Sequence, residues 1–142
     1  PAGYLLYVRD RTLLAQAFDA GSLKLSGEPL PIAEPVGTSQ GGALAHFTLA
    51  TGQTSRAVVH RTVEEIWCFL SGRGEMWRKQ EGREEVVPVE AGVCVTIPLG
   101  THFQFRSLGD QPLAALAATM PPWPGDGEAV VVPGRWPPGV RS

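Results

Sequence analysis

The chain contains little of several things that would direct its function. Only two of its 142 residues are cysteine and only three are histidine. Lys and Arg number 12 against 14 Asp and Glu, and no basic stripe interleaves with aromatic side chains, which argues against a nucleic-acid-binding surface. No apolar run is long enough to cross a bilayer, and no charged-then-apolar leader opens the sequence. We therefore expect a cytoplasmic protein with no nucleic-acid or membrane partner.

The two cysteines, Cys68 and Cys94, lie within apolar segments that resemble strands, and they do not have the spacing of metal ligands. Free cysteine is among the most buried residue types and packs as a small hydrophobe. We expect both to be small buried core residues, which favours a reducing compartment.

Glycine and proline interrupt the chain too often for long helices, with 17 and 13 copies, and the apolar segments between them are short. This pattern predicts an all-β architecture. The segment 113–120 is rich in alanine and competes as a helix, but its flanking turn residues favour a strand. Ten strands are predicted: 4–8, 12–18, 43–50, 55–60, 65–70, 74–79, 84–87, 93–97, 102–106 and 112–119.

The segment 52–72, GQTSRAVVHRTVEEIWCFLSG, places a histidine and a carboxylate between two glycines. Its Gly52, His60, Glu65 and Gly72 have the spacing of the first motif of cupin barrels, which the segment resembles. The first of the two histidines in that motif is Val58 here. The resemblance therefore implies a metal site that is present, altered or lost.

A second pattern follows in GVCVTIPLGTHFQFRS, where Gly92, Pro98 and Gly100 resemble the opening of the second cupin motif. That motif continues with a histidine ligand and an asparagine, and the corresponding positions here are Phe103 and Ser107. Strand side chains alternate between faces. In the family register, residues 103, 105 and 107 point inward while 102, 104 and 106 face solvent. A shifted loop at 99–101 would instead bring His102 inside.

The resemblance implies a cupin-type double-stranded β-helix, or jelly-roll barrel, to which the predicted strands 4–8 and 12–18 add an N-terminal β-hairpin extension. It also implies a divalent ion (Fe, Mn, Zn or Ni) held by imidazoles and a carboxylate. Its ligands would be His60 and Glu65, helped by His46 or His102, although a hydrogen-bonded structural histidine is the simpler interpretation of His46. His60 and Glu65 would then be the catalytic residues of an oxidoreductase or isomerase, such as a dioxygenase-like enzyme. Without a metal, a buried Glu65 needs His60 or another donor as its partner.

Aromatic side chains on the inward faces predict a cavity suited to an apolar or aromatic small molecule. Core packing explains the same residues. Two alternatives to an enzyme stay open: a metal-free sensor or carrier of a small hydrophobic ligand, and a structural oligomerisation barrel whose aromatic side chains fill the interior. The predicted lining residues are Phe47, Trp67, Phe69, Phe103 and Phe105.

Three regions are predicted along the chain. Residues 1–41 hold a hairpin and a Pro/Gly-rich linker that begins at residue 26, residues 42–124 form the barrel, and residues 125–142 form a tail. Residues 3–36 also resemble a WD40-like β-propeller repeat, although one hairpin cannot build a propeller. That hairpin must pack on the barrel, be exchanged with a partner or be the remnant of a fusion. The aromatic tail is expected to wrap the barrel or cross the interface of a homodimer, and a lid over the cavity is a further possibility.

Overall fold

The structure is a computed structural model that describes residues 3–9, 12–19, 21–31 and 41–139. All the regular secondary structure within these ranges is β-strand, and the same ranges contain no helix able to span a membrane. The strands are β1 (Gly3–Arg9), β2 (Thr12–Asp19), β3 (Lys24–Pro31), β4 (Ala43–Leu49), β5 (Val58–His60), β6 (Glu64–Ser71), β7 (Arg73–Gln80), β8 (Arg83–Glu90), β9 (Cys94–Ile97), β10 (His102–Ser107), β11 (Leu113–Met120) and β12 (Ala129–Val131).

The strands form two antiparallel sheets that enclose one core. The larger sheet has the order β3-β2-β1-β4-β11-β6-β9, and the smaller has the order β12-β5-β10-β7-β8. The alanine-rich segment is strand β11, in which buried and half-buried residues alternate. Its central position between β4 and β6 explains why packing overrides helix propensity. The all-β jelly-roll prediction is confirmed.

The two sheets bury large side chains between them, among which Trp67, Phe69, Met76 and Ile97 are almost inaccessible to solvent. The hairpin between β7 and β8 turns at Glu81 and Gly82, whose φ angles are 49° and 78°. Two consecutive positive φ values match the twist of the flanking strands. The chain therefore reverses between the two strands predicted over 74–79 and 84–87.

The N-terminal hairpin packs on the barrel by extending the larger sheet. Strand β1 pairs with β4, with Tyr4 opposite His46, and the side chains of Leu5 and Phe18 are buried in the common core. Residues 26–31, predicted as linker, belong to β3, whose pairing with β2 is a long-range feature that local composition hides. Residues 32–40 of the predicted linker lie outside the described residues. This arrangement gives the propeller resemblance no support.

The C-terminal tail wraps the smaller sheet. Strand β12 pairs with β5, and beyond it the Gln104 side chain donates to the carbonyl of Trp136 and accepts from its amide, both at 2.9 Å. The guanidinium of Arg106 lies 4.3 Å from the centre of the Trp136 ring. Gln104, predicted to face water, is only 1% exposed. The prediction of a wet face failed there because the tail covers it.

The two cysteines are joined in a disulfide, which corrects the prediction that they are small buried core residues. Cys68 on β6 lies directly opposite Cys94 on the edge strand β9, with their Cα atoms 4.3 Å apart. Cys94 is exposed and Cys68 is half-buried. The pairing depends on the register of two strands that are 26 residues apart in sequence, and neither cysteine reveals it alone.

Candidate functional site

The site is built around His60 at the end of β5 and Glu65 at the start of β6, on either side of a short turn. Both belong to an alternating pattern in which their neighbours Arg61 and Glu64 are exposed. The period-2 geometry of strands therefore turns His60 and Glu65 inward together. Their Nδ1 and Oε2 atoms lie 3.7 Å apart, which is beyond a hydrogen bond.

His60 is 6% exposed, and aromatic rings surround it. Its imidazole meets the rings of Phe103 and Trp123 edge-on, at centroid distances of 5.2 and 5.3 Å. Its Nδ1 atom is buried and has no hydrogen-bond partner. Burial lowers the pKa of His60 to about 4, although the charge of Glu128 opposes this shift. The imidazole is therefore neutral at physiological pH.

Glu65 is 3% exposed and accepts a 2.7 Å hydrogen bond from the indole Nε1 of Trp67. Trp67, two residues along the same face of β6, therefore supplies the hydrogen-bond donor that the buried carboxyl group of Glu65 needs. Burial raises the pKa of Glu65 to about 7, against the effect of this hydrogen bond and with a further contribution from Glu128. Near neutral pH the carboxyl group therefore exists in both protonation states.

Glu128, which lies just before β12, also belongs to the site. Its carboxylate accepts hydrogen bonds from the backbone and side chain of Thr62 and from the backbone of Val63, at 2.7 to 2.9 Å. Burial alone would raise its pKa, but these hydrogen bonds leave the pKa lowered overall. Glu128 therefore fixes the turn that joins the strands of His60 and Glu65. No local motif marks it, because its partners lie 65 and 66 residues away.

A cavity of about 30 Å³ lies against the His60–Glu65 pair. Four of the predicted lining residues, Phe47, Trp67, Phe103 and Phe105, contribute to its wall, whereas Phe69 is buried elsewhere in the core. The space is enough for one or two water molecules. The complete wall consists of Phe18, Leu23, Phe47, Ser55, Arg56, Val58, His60, Glu65, Trp67, Phe103, Phe105 and Trp123.

Comparison with known proteins identifies the family. A model of the cupin domain matches residues 45–119. This chain belongs to the cupin domain family. Over 81 residues the cupin is 32% identical to the uncharacterised protein MJ1618 of Methanocaldococcus jannaschii, a match that covers 57% of this chain and 62% of that relative. The chain thus spans less than two thirds of the relative's length.

Solved structures agree on the fold of this cupin. BH2720 of Bacillus halodurans superposes with a TM-score of 0.55 at 20% identity, covering 63% of this chain and 70% of its own. The capsular polysaccharide assembling protein CapF of Staphylococcus aureus superposes with a TM-score of 0.57 at 17% identity, covering 91% of this chain and 34% of its own. A recombinant oxalate oxidase in complex with glycolate superposes with a TM-score of 0.55 at 18% identity, covering 60% of this chain and 44% of its own. At these identities the similarity concerns the fold.

The other predicted metal ligands do not join His60 and Glu65 in this cupin. His46 shares the outer face of β4 with the exposed Leu44, opposite the inward Phe47, and His102 is outside the cavity wall. The family's remaining histidine positions hold Val58 and Phe103, which both line the cavity and pair across β5 and β10. Across residues 3–9, 12–19, 21–31 and 41–139, no three His, Cys, Asp or Glu side chains are grouped to hold a metal ion.

The residues of the site therefore do not fit the metal that the cupin family suggests. A divalent ion of the first transition row needs three or more convergent nitrogen or oxygen ligands. Here His60 and Glu65 supply two, and one oxygen of Glu65 already accepts a hydrogen bond from Trp67. Apolar side chains stand at the positions from which further imidazoles would come.

Proposed function

We propose that this cupin is a metal-independent binding protein for a small, largely apolar molecule that carries one hydrogen-bonding group. The observation that carries the proposal is the buried, unpartnered Nδ1 atom of His60 at the wall of an aromatic cavity. Buried polar atoms in proteins almost always have a hydrogen-bond partner, and each exception needs an explanation. A ligand or water in the cavity would supply the missing partner.

The environment of Glu65 and His60 supports a ligand whose polar group is neutral. Glu65 and Arg56 are its charged groups, and the pKa of Glu65 is raised to about 7 by burial, so that its negative charge is disfavoured. A hydroxyl group can both donate and accept, and therefore it can pair with His60 Nδ1 in either imidazole tautomer. A molecule such as phenol combines this group with an apolar ring.

The test is calorimetric titration of phenol into the purified protein in the presence of EDTA. Binding is expected for wild type, with affinity reduced at least tenfold in His60→Leu, which keeps an apolar side chain but removes the ring nitrogen. The matched control is His102→Leu, which removes a histidine outside the cavity and should bind phenol like wild type. Equal loss in both variants, or no effect of His60→Leu, would contradict the proposal.

A second candidate, a structural oligomerisation barrel, is favoured by the small size of the cavity. Its 30 Å³ is far below the roughly 150 Å³ of an engineered cavity that binds benzene. On this hypothesis the aromatic side chains only pack the barrel. Absence of phenol binding in wild type, together with a stable oligomer in analytical ultracentrifugation, would favour it over ligand binding.

A further inference from the structure

Trp123 closes one side of the cavity from a segment that is not part of any β-strand. It lies between the end of β11 at Met120 and the start of β12 at Ala129. Its half-buried indole meets His60 edge-on at 5.3 Å and Phe18 at 6.4 Å. Most of the other wall residues are part of paired strands, so their displacement would break backbone hydrogen bonds. Trp123 can move without that cost.

The volume of the cavity makes such a movement necessary for any ring-containing ligand. About 30 Å³ admits water, whereas benzene needs roughly five times this volume. Removal of one indole ring from the wall would open space for another ring of similar size. Among the aromatic side chains described in the wall, that of Trp123 is the one outside a β-strand, and we therefore expect it to be the one that leaves.

The surroundings of Trp123 define what would fit in its place. The vacated space would be bordered by the rings of Phe18 and His60 and would lead to those of Phe47 and Trp67. Aromatic rings prefer edge-to-face and offset contacts with other rings. The unpartnered Nδ1 of His60 would meet a polar substituent of the incoming molecule. These features select a planar aromatic ring that carries a hydroxyl or amino group.

We propose that the indole of Trp123 occupies the position of the ligand's ring, and that the ligand is a hydroxyl- or amino-substituted aromatic compound no larger than indole. This proposal rests on the proposed function, because it identifies the ligand class and the gate of the same cavity. In the closed protein Trp123 competes with the ligand. Measured affinity is then reduced by the fraction of molecules in which Trp123 has moved out.

The experiment uses wild-type protein labelled with 5-fluorotryptophan, which gives one ¹⁹F resonance for each of four tryptophans. Phenol should move the Trp123 resonance towards that of free fluorotryptophan, while those of Trp77 and Trp136, outside the cavity wall, stay in place. A Trp123→Phe variant assigns the resonance. Cyclohexanol, which has the hydroxyl but no aromatic ring, should bind at least tenfold more weakly than phenol.

A Trp123→Ala variant provides the second measurement and should bind phenol at least tenfold more tightly than wild type, with its fold checked by thermal denaturation. Phenol binding without movement of the Trp123 resonance overturns the gate and leaves the proposed function standing. Equal binding of cyclohexanol and phenol overturns the aromatic ligand class. Absence of phenol binding by wild type overturns the proposed function itself, even if Trp123→Ala binds it.

Discussion

Replacement of Glu65 by glutamine should make the unfolding free energy depend on pH in a window where the contributions of Glu65 and His60 cancel in wild type. Burial raises the pKa of Glu65 from 4.5 to about 7 and lowers the pKa of His60 from 6.5 to about 4. Between pH 4.5 and 6.5 the folded pair therefore carries its proton on Glu65, and the unfolded pair carries it on His60. Both states bind one proton, so the pair contributes no slope in this window.

Taken alone, Glu65 and His60 would each make the unfolding free energy depend on pH, and the two slopes have opposite signs. The raised pKa of Glu65 makes the folded state bind more protons than the unfolded state, so its contribution to stability is present at low pH and falls as pH rises towards 7. The lowered pKa of His60 makes the unfolded state bind more protons, so its contribution falls as pH drops below 6.5. Each slope is about 1.4 kcal/mol per pH unit.

The Glu65→Gln variant keeps an oxygen to accept from Trp67 and leaves His60 to titrate alone. Its unfolding free energy relative to wild type should rise by about 2 kcal/mol from pH 4.5 to 6.5, because the slope flattens towards both ends of this window. His60→Leu should show the opposite trend, falling by a similar amount. Urea denaturation at pH 4.5, 5.5 and 6.5 measures these differences, in which the titration of other groups cancels.

The exposed neighbour provides the control, since Glu64→Gln removes a carboxyl group one residue away on the solvent face of β6. It should follow the wild-type curve at every pH. If Glu65→Gln also runs parallel to wild type, the proton does not move between the two residues on unfolding, and this description of the pair is refuted.

Three further predictions concern the surrounding structure. Serine at Cys68 and Cys94 should lower the unfolding free energy by roughly 3.5 kcal/mol, the loop entropy for a 26-residue separation, and reductant should have the same effect on wild type but none on the double variant. Gly134→Ala places a Cβ atom 2.6 Å from Gln104 Oε1, so thermal denaturation should show a loss of about 1–3 kcal/mol. Homodimerisation stays a prediction; Ile66→Glu on the exposed apolar sheet face should shift the sedimentation coefficient to that of a monomer if this face is the interface.

The sequence predicted the barrel because its signals are local. Glycines at turns, alternation along strands and the two spaced motifs all lie within short windows, and the structure follows them from β4 to β11. The register of the second cupin motif, together with alternation along the strand, predicts the inward side of β10, and Phe103, Phe105 and Ser107 are indeed buried. The exposure of Glu64 and burial of Glu65 follow from the same geometry.

The parts of the site that the sequence did not reveal depend on contacts between distant segments. Trp123 reaches the cavity wall from the segment between β11 and β12, and Glu128 reaches the turn at Thr62 and Val63 from the same segment. Nothing near either residue in sequence indicates which strands it meets. The metal expectation rested on His60 and Glu65 with help from His46 or His102. Neither helper lies on the inward face of its strand, because the adjacent Phe47 and Phe103 occupy that face. Strand geometry therefore decided against the full ligand set, although composition allowed it.

A single series of titrations tests whether the cavity binds its ligand without a resident metal. Phenol affinity is measured for protein purified without chelator, then after dialysis against EDTA, and then after addition of Fe²⁺, Mn²⁺, Zn²⁺ or Ni²⁺. We predict the same dissociation constant in all three conditions. Affinity that is lost with EDTA and restored by one of the metals would contradict the claim.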